Sequence, residues 1–191
     1  PCAVVIGTDV FDRFLDMNEL RTFALECPGD ALITNMFVEA EKFPPEITAR
    51  IGQFLEIITD PIAVRSSSLL EDSQYQPFAG VYETYMLPNN NPDGSVRLQE
   101  TLAAIKRVYA STFYRKAKEY MKATAYRLEE EKMAVAIQKM VGSRWGKRYY
   151  PETAGVGRSY NFYPIPPQEP EDGIVAIALG LGKMVVEGGS S

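Results

Sequence analysis

The 191-residue chain contains no histidine. Within these residues that excludes a Ser-His-Asp triad, a Cys-His pair and any histidine-ligated metal centre. Phosphohistidine chemistry would need a histidine on another polypeptide or another segment. Cysteine is nearly as scarce: Cys2 and Cys27 stand apart, without metal-binding spacing. A structural zinc site is not expected. The two thiols leave a disulfide open, and a reduced, cytoplasmic chain is the reading adopted. Apolar residues never run to the ~20 needed to cross a bilayer, and no signal peptide is visible, so no membrane partner is expected. Positive charge is also short: 20 Lys and Arg against 25 Asp and Glu give a net charge of -5. An acidic chain suits nucleic acid poorly, because phosphate contact needs a basic surface. A local basic pocket for one small polyphosphate is still allowed.

What is present is an ordinary globular composition, 46% hydrophobic and 24% charged, long enough for one domain or two small lobes. The chain opens on Pro1 and closes on Glu187-Gly188-Gly189-Ser190-Ser191, and it reads as a segment of a longer protein. Ala3–Ile6 predicts a short buried strand, and Thr8 and Asp9 then suit the start of a helix. Ile47, Ile51, Phe54, Leu55 and Ile58 form a helical stripe after Pro44-Pro45. Ile62-Ala63-Val64 predicts a buried strand, residues 81–86 an alternating one, and Pro88–Gly94 a turn. Leu98, Leu102, Ile105, Tyr109 and Phe113 share one face of a helix predicted from about Ser95 to Arg127. The acidic run Glu129–Glu131 reads as a solvated loop. Met133–Val141 and Ile174–Leu179 predict buried strands, with a Gly-, Tyr- and Arg-rich extended stretch and a proline-rich loop between them. Helices and strands mix without a βαβ rhythm, so the expected class is α+β.

Four stretches carry candidate chemistry. At Arg65-Ser66-Ser67-Ser68 a buried strand delivers an always-charged, bidentate guanidinium followed by hydroxyls, a combination suited to phosphate. Spacing alone also allows the plainer arrangement of Arg65 paired with Glu71 or Asp72. Pro77-Phe78-Ala79-Gly80 suits either a loop that closes over a ligand or a tight turn. Gln138-Lys139-Met140-Val141 suits either an adenine-reading strand end or core packing. Gly180-Leu181-Gly182-Lys183 resembles a phosphate cradle but matches neither the P-loop nor the dinucleotide fingerprint. The acidic pairs lack the spacing of a general acid and base, and no metal site can be assembled from them.

The order and wording of these stretches are more specific than any one of them. Ala63-Val64-Arg65-Ser66-Ser67, Glu71-Asp72, Phe78-Ala79-Gly80 and Glu83-Thr84 together resemble the N-terminal domain of the phosphoenolpyruvate synthase and pyruvate phosphate dikinase family. Ile105–Ser111, Ala134–Val141, Ala154-Gly155-Val156 and Gly180–Gly188 are similar to later motifs of the same domain, and Pro1–Phe14 weakly to its opening.

The resemblance implies an ATP-grasp-like fold, incomplete here, with an N-terminal lobe over 1–130 and a truncated second lobe over 131–191. It implies an ATP-dependent phosphotransferase. Members pass the β-phosphoryl group of ATP to a histidine on a swivelling domain and then to pyruvate on a third domain. Related enzymes with a glucan or antibiotic acceptor, and a non-catalytic nucleotide-binding module, are the alternatives. Carried over by position, Arg65 would be the catalytic phosphate contact, with Ser66 beside it. Gln138, Lys139, Met140 and Val141 would lie near adenine, and Gly180 and Gly182 near ribose or phosphate. ATP is the expected ligand, with Mg2+ held by residues outside this segment. The expected partners are the phosphohistidine and pyruvate domains of the same full-length chain, and homo-oligomerisation is left open. Ala154 stands where the family has serine, and Gly157-Arg158 where it has an apolar pair. The segment alone is expected to fold, bind ATP weakly and catalyse nothing.

Overall fold

The computed structural model describes residues 2–68, 71, 80–122 and 127–182, the side chain of Glu129 aside. The chain divides into two compact units, Pro1–Met140 and Val141–Ser191. The boundary between these units falls after Met140, ten residues beyond the lobe boundary expected from the family resemblance. The strand that follows residue 130 lies inside the sheet of the first unit.

That sheet has four strands: β1 (Ala3–Ile6), β2 (Ile62–Ser67), β3 (Thr84–Leu87) and β4 (Ala134–Lys139). Their order is β1-β4-β2-β3, every neighbouring pair antiparallel. In β2, Ile62 and Val64 point to one face and Ala63 and Arg65 to the other, as the two-residue period of a strand requires. The register sets Val64 opposite Ile137 and Tyr85, and Arg65 opposite Ala136 and Thr84. One face is thus branched and apolar and the other mostly small or polar, so only the first can bury a core.

Helices α1 (Thr8–Met17), α2 (Leu20–Glu26), α3 (Asp30–Glu39), α4 (Pro45–Ile57), α5 (Gly94–Ser111) and α6 (Arg115–Lys122) belong to this unit. The apolar face of the sheet shares one core with them: Ile62, Val64, Val135 and Ile137 are buried together with Phe11, Phe14, Phe37, Ile105 and Tyr109. The ring of Phe11 meets that of Tyr109 edge-on at 5.0 Å, and Phe14 lies 5.8 Å from Phe37. Each such aromatic buries a large area, and its removal typically costs ~3–5 kcal/mol. The predicted stripe of α4 is seen, with Ile51, Leu55 and Ile58 buried. The unpredicted α3 buries Ile33 and Phe37.

Four local readings differ from the sequence, the first being Ala3–Ile6, read as buried, where only Ile6 is buried and Val5 is exposed. Thr8 is the first residue of α1, with Gly7 before it, and makes no capping bond. The helix predicted through Arg127 breaks after Ser111. There the Ser111 hydroxyl donates to the Val108 carbonyl at 2.7 Å, drawing on an acceptor of the helix, and accepts from the Glu83 amide at 3.2 Å. Phe113 turns into the core, and Asp30 accepts from the Arg115 amide at 2.8 Å, capping the next helix. Glu131, read as solvated, is buried, because it pairs with Tyr82.

The second unit holds two antiparallel hairpins: β5 (Ser143–Trp145) with β6 (Arg148–Tyr150), and β7 (Thr153–Arg158) with β8 (Ile174–Leu179). The predicted strand Ile174–Leu179 forms, but Val175, Ile177 and Leu179 are exposed. Cys2 and Cys27 are free thiols. Among the described residues no helix is long and apolar enough to cross a membrane.

Candidate functional site

In the first unit an open cleft of about 480 Å³ is lined by Arg65, Ser66, Ser67, Glu71, Gly80, Tyr82, Thr84 and Ala136. It lies at the exit of β2, where the strand leaves the sheet and its hydroxyl residues begin. Arg65 is exposed, and among the described residues its guanidinium has neither a hydrogen bond nor an ion pair. Glu71 does not pair with it. Instead the Ser66 hydroxyl donates to Glu71 Oε1 at 2.9 Å, and the Ser68 amide reaches Oε2 at 3.3 Å. The other acid considered for Arg65, Asp72, lies outside the described residues.

The floor of the cleft is held from behind. Tyr82 is buried and donates its phenol proton to Glu131 Oε1 at 3.0 Å. Tyr82 precedes β3 and Glu131 precedes β4, the two strands that flank β2, so one bond ties both approaches to the cleft. Burial pushes the Glu131 carboxyl above the usual carboxylate range, with Ser68 and Tyr82 bonds opposing the shift and the Glu71 charge adding to it. Burial raises the Tyr82 phenol further, with the Glu131 charge second, which keeps it protonated as a donor.

The remaining predicted site residues are distributed unevenly. Gln138 is opposite Ala63, on the same face of the sheet as Arg65 and diagonal to it. That face also carries Val5 and Met86, each 67% exposed. Lys139 points to the other face and forms an ion pair with Asp60 at 2.6 Å, which gives it a local role at the strand end. The Met140 amide donates to the Pro61 carbonyl at 2.8 Å. Val141, Gly180 and Gly182 belong to the second unit. Gly180 and Gly182 have φ of 81° and 65°, left-handed values that favour glycine, and the Gly180 amide is bonded to the Glu152 carbonyl at 2.9 Å. Phe78, Ala79 and Lys183 lie outside the described residues. Among those described, no group of three or more cysteines or acids is placed to hold a metal ion.

A guanidinium beside hydroxyls at a strand exit is chemically suited to a polyanion. The family model of the pyruvate phosphate dikinase AMP/ATP-binding domain matches residues 1–191. The chain belongs to that family. It is 29% identical over 188 residues to the uncharacterized phosphotransferase YvkC of Bacillus subtilis, covering 98% of this chain and 20% of that protein. It is 31% identical over 209 residues to the phosphoenolpyruvate synthase of Aeropyrum pernix, covering 98% of this chain and 23% of the relative. It is also 28% identical over 153 residues to the rifampicin phosphotransferase of Bacillus cereus, at 79% and 16% coverage. The chain thus spans about a fifth of the length of these relatives. Membership of an AMP/ATP-binding family makes nucleotide the ligand class for the domain.

Sequence reasoning missed Tyr82 and Glu131. Nothing local marks them, since they are joined only by a contact across 49 positions of sequence.

Proposed function

We propose that this chain is the ATP-binding part of a dikinase-type phosphotransferase with an ATP-grasp-like fold, and that the cleft at the end of β2 receives the nucleotide's phosphates. The observation that carries this reading is Arg65: an exposed guanidinium without a partner among the described residues, in a cleft lined with hydroxyls. A planar cation that no described residue holds is available to grip an oxyanion bidentately. The open face that leads from Arg65 to Gln138, with Val5 and Met86 exposed on it, suits the nucleoside. Lys139 is better placed as the partner of Asp60 than as an adenine contact.

On this reading the full-length protein carries Mg2+ with the ATP, held by acids outside the described residues. The metal offsets the polyphosphate charge, while Arg65 binds and orients the phosphates. The phosphoryl group passes to a histidine elsewhere in the full-length protein, since this chain has none, and from there to pyruvate. The likeness to a rifampicin phosphotransferase supports a second reading, with the same nucleotide chemistry and an antibiotic acceptor. The protein is proposed to work in the cytoplasm.

The test is a calorimetric titration of Mg-ATP into the full-length protein and its Arg65→Ala variant. We expect the variant to bind at least tenfold more weakly, the scale of a lost charged phosphate contact. Absence of ATP binding by the unmutated protein would instead identify a domain that has lost its nucleotide function.

A further inference from the structure

The first unit holds a second pocket, of about 640 Å³, which among the described residues shares no lining residue with the β2 cleft. It lies between the C-terminal end of α2, the side of α6 and the turn at Arg127 and Leu128. Its walls follow from how α6 is anchored. The last carbonyls of a helix have no partner within it. At the end of α2 they are met from outside, because Lys118 Nζ donates to the carbonyls of Ala24 and Cys27 at 2.6 Å each. Those bonds, with the Asp30 cap on the Arg115 amide, fix α6 beside the end of α2. The space between them is preformed, so a ligand need not order it.

Leu25, Met121 and Leu128 give the pocket apolar surface, and Met121 is buried. Its charge is mostly positive. Arg115, Lys118 and Lys122 stand at i, i+3 and i+7 of α6, which puts them on one stripe of the helix, and Arg127 lines the same pocket. Against these four cations stand only Glu26 and Glu119, in a chain whose net charge is -5. Glu119 pairs with Arg115 at 3.6 Å. Lys118 uses two of its three donors on α2. Lys122 and Arg127 are exposed and have neither a hydrogen bond nor an ion pair among the described residues. Like charges four residues apart on a helix repel. Burial holds the Lys118 ammonium below its usual value, and the Lys122 charge pushes the same way, against Cys27 and Asp30. An anion among these cations relieves that repulsion. A cavity of this size, apolar within and with a few convergent polar groups, suits a small organic molecule. Inorganic phosphate would leave the apolar surface wet, and a neutral hydrocarbon would leave the cations unused.

We propose that the pocket between α2 and α6 binds a small organic anion, its apolar body on Leu25, Met121 and Leu128 and its charged end held by Lys122 and Arg127. The site stands apart from the nucleotide reading of the β2 cleft, and either can fail without the other.

The experiment titrates naphthalene-2-sulfonate, an aromatic body with one negative charge, into the full-length protein by calorimetry. The neutral analogue 2-naphthol should bind at least tenfold more weakly, and inorganic phosphate at equal concentration should not displace the sulfonate. Lys122→Gln and Arg127→Gln should each weaken the sulfonate about fivefold, the scale of one partly exposed charged contact. Glu26→Gln removes a repelling carboxylate and should tighten it about twofold. All three residues are exposed, so each variant should melt within a degree or two of the parent. Saturating Mg-ATP and the Arg65→Ala substitution should leave the affinity for the sulfonate unchanged. The proposal is overturned if the unmutated protein takes up no sulfonate, or if the double variant Lys122→Gln/Arg127→Gln binds it as tightly as the parent. It also falls if 2-naphthol binds equally well, since the charges would then have no part. Displacement of the sulfonate by Mg-ATP would overturn it too, by placing the probe in the β2 cleft.

Discussion

The Tyr82–Glu131 pair joins the approaches to the two strands that flank β2. Tyr82→Phe keeps the ring and deletes the donor, leaving a buried carboxyl one bond short. We expect a loss of ~1–3 kcal/mol in urea unfolding; a change indistinguishable from zero would mean that water replaces the phenol. The pH dependence follows from the raised carboxyl. A group whose folded value lies above its unfolded one contributes stability fully below the unfolded value, and loses it as pH rises through the folded value. Glu131→Gln carries no such titration. The variant should gain on the parent as pH climbs from 4 to 8, and a stability difference that is flat over that range would contradict the shift. The place of Arg65 at the exit of a buried strand was legible in the sequence, because three apolar residues precede it and hydroxyl residues follow. Gln138 was legible as part of a strand end, although its place on the Arg65 face needed the register. The faces of Ser66 and Lys139 needed the register too, since one-residue alternation sends each to the face opposite Arg65. Glu131 was illegible because three consecutive acids look solvated until a tyrosine distant in sequence is found beside one of them.

Among the elements, α6 depends on a residue outside itself. Asp30 Oδ1 accepts from the Arg115 amide at 2.8 Å, so a residue at the start of α3 caps a helix that lies far along the chain. Asp30→Ala should cost about 1 kcal/mol, the usual loss for a missing cap, read as a lower urea midpoint with an unchanged slope. Asp30→Asn should recover most of it. A midpoint equal to the parent's would show the cap to be replaceable by solvent. The stripes of α4 and α5 were readable because each is long, regular and buried on one side. The end of α5 was not, because no proline or glycine marks it. A serine hydroxyl drawing on the helix's own carbonyl and an aromatic turning inward end it instead, and both depend on packing partners that periodicity does not reveal. The α+β class was legible from the mixture of patterns. The antiparallel order β1-β4-β2-β3 was not, because β4 joins strands far from it in sequence.

For the whole chain, the division of the core decides the expected stability. Every buried apolar side chain among the described residues, from Ile6 to Ile137, falls in the first unit. The apolar residues of β8, read from sequence as a buried strand, are largely exposed, since a two-stranded hairpin has no second layer to bury them. Local opening is governed by how much buried apolar contact must be broken. Hydrogen exchange of the isolated 191-residue chain should therefore show slow amides in β2, β4 and α5. Exchange through β7 and β8 should be faster by at least a hundredfold, despite their regular pairing. The same chain incubated with Mg-ATP should release no phosphate, and having no histidine it should form no phosphohistidine. Equal protection in both units would show that the second has a core of its own. Phosphate release by the isolated chain would show instead that the reaction needs nothing beyond these residues, and would overturn the assignment of acceptor and metal ligands to the rest of the full-length protein.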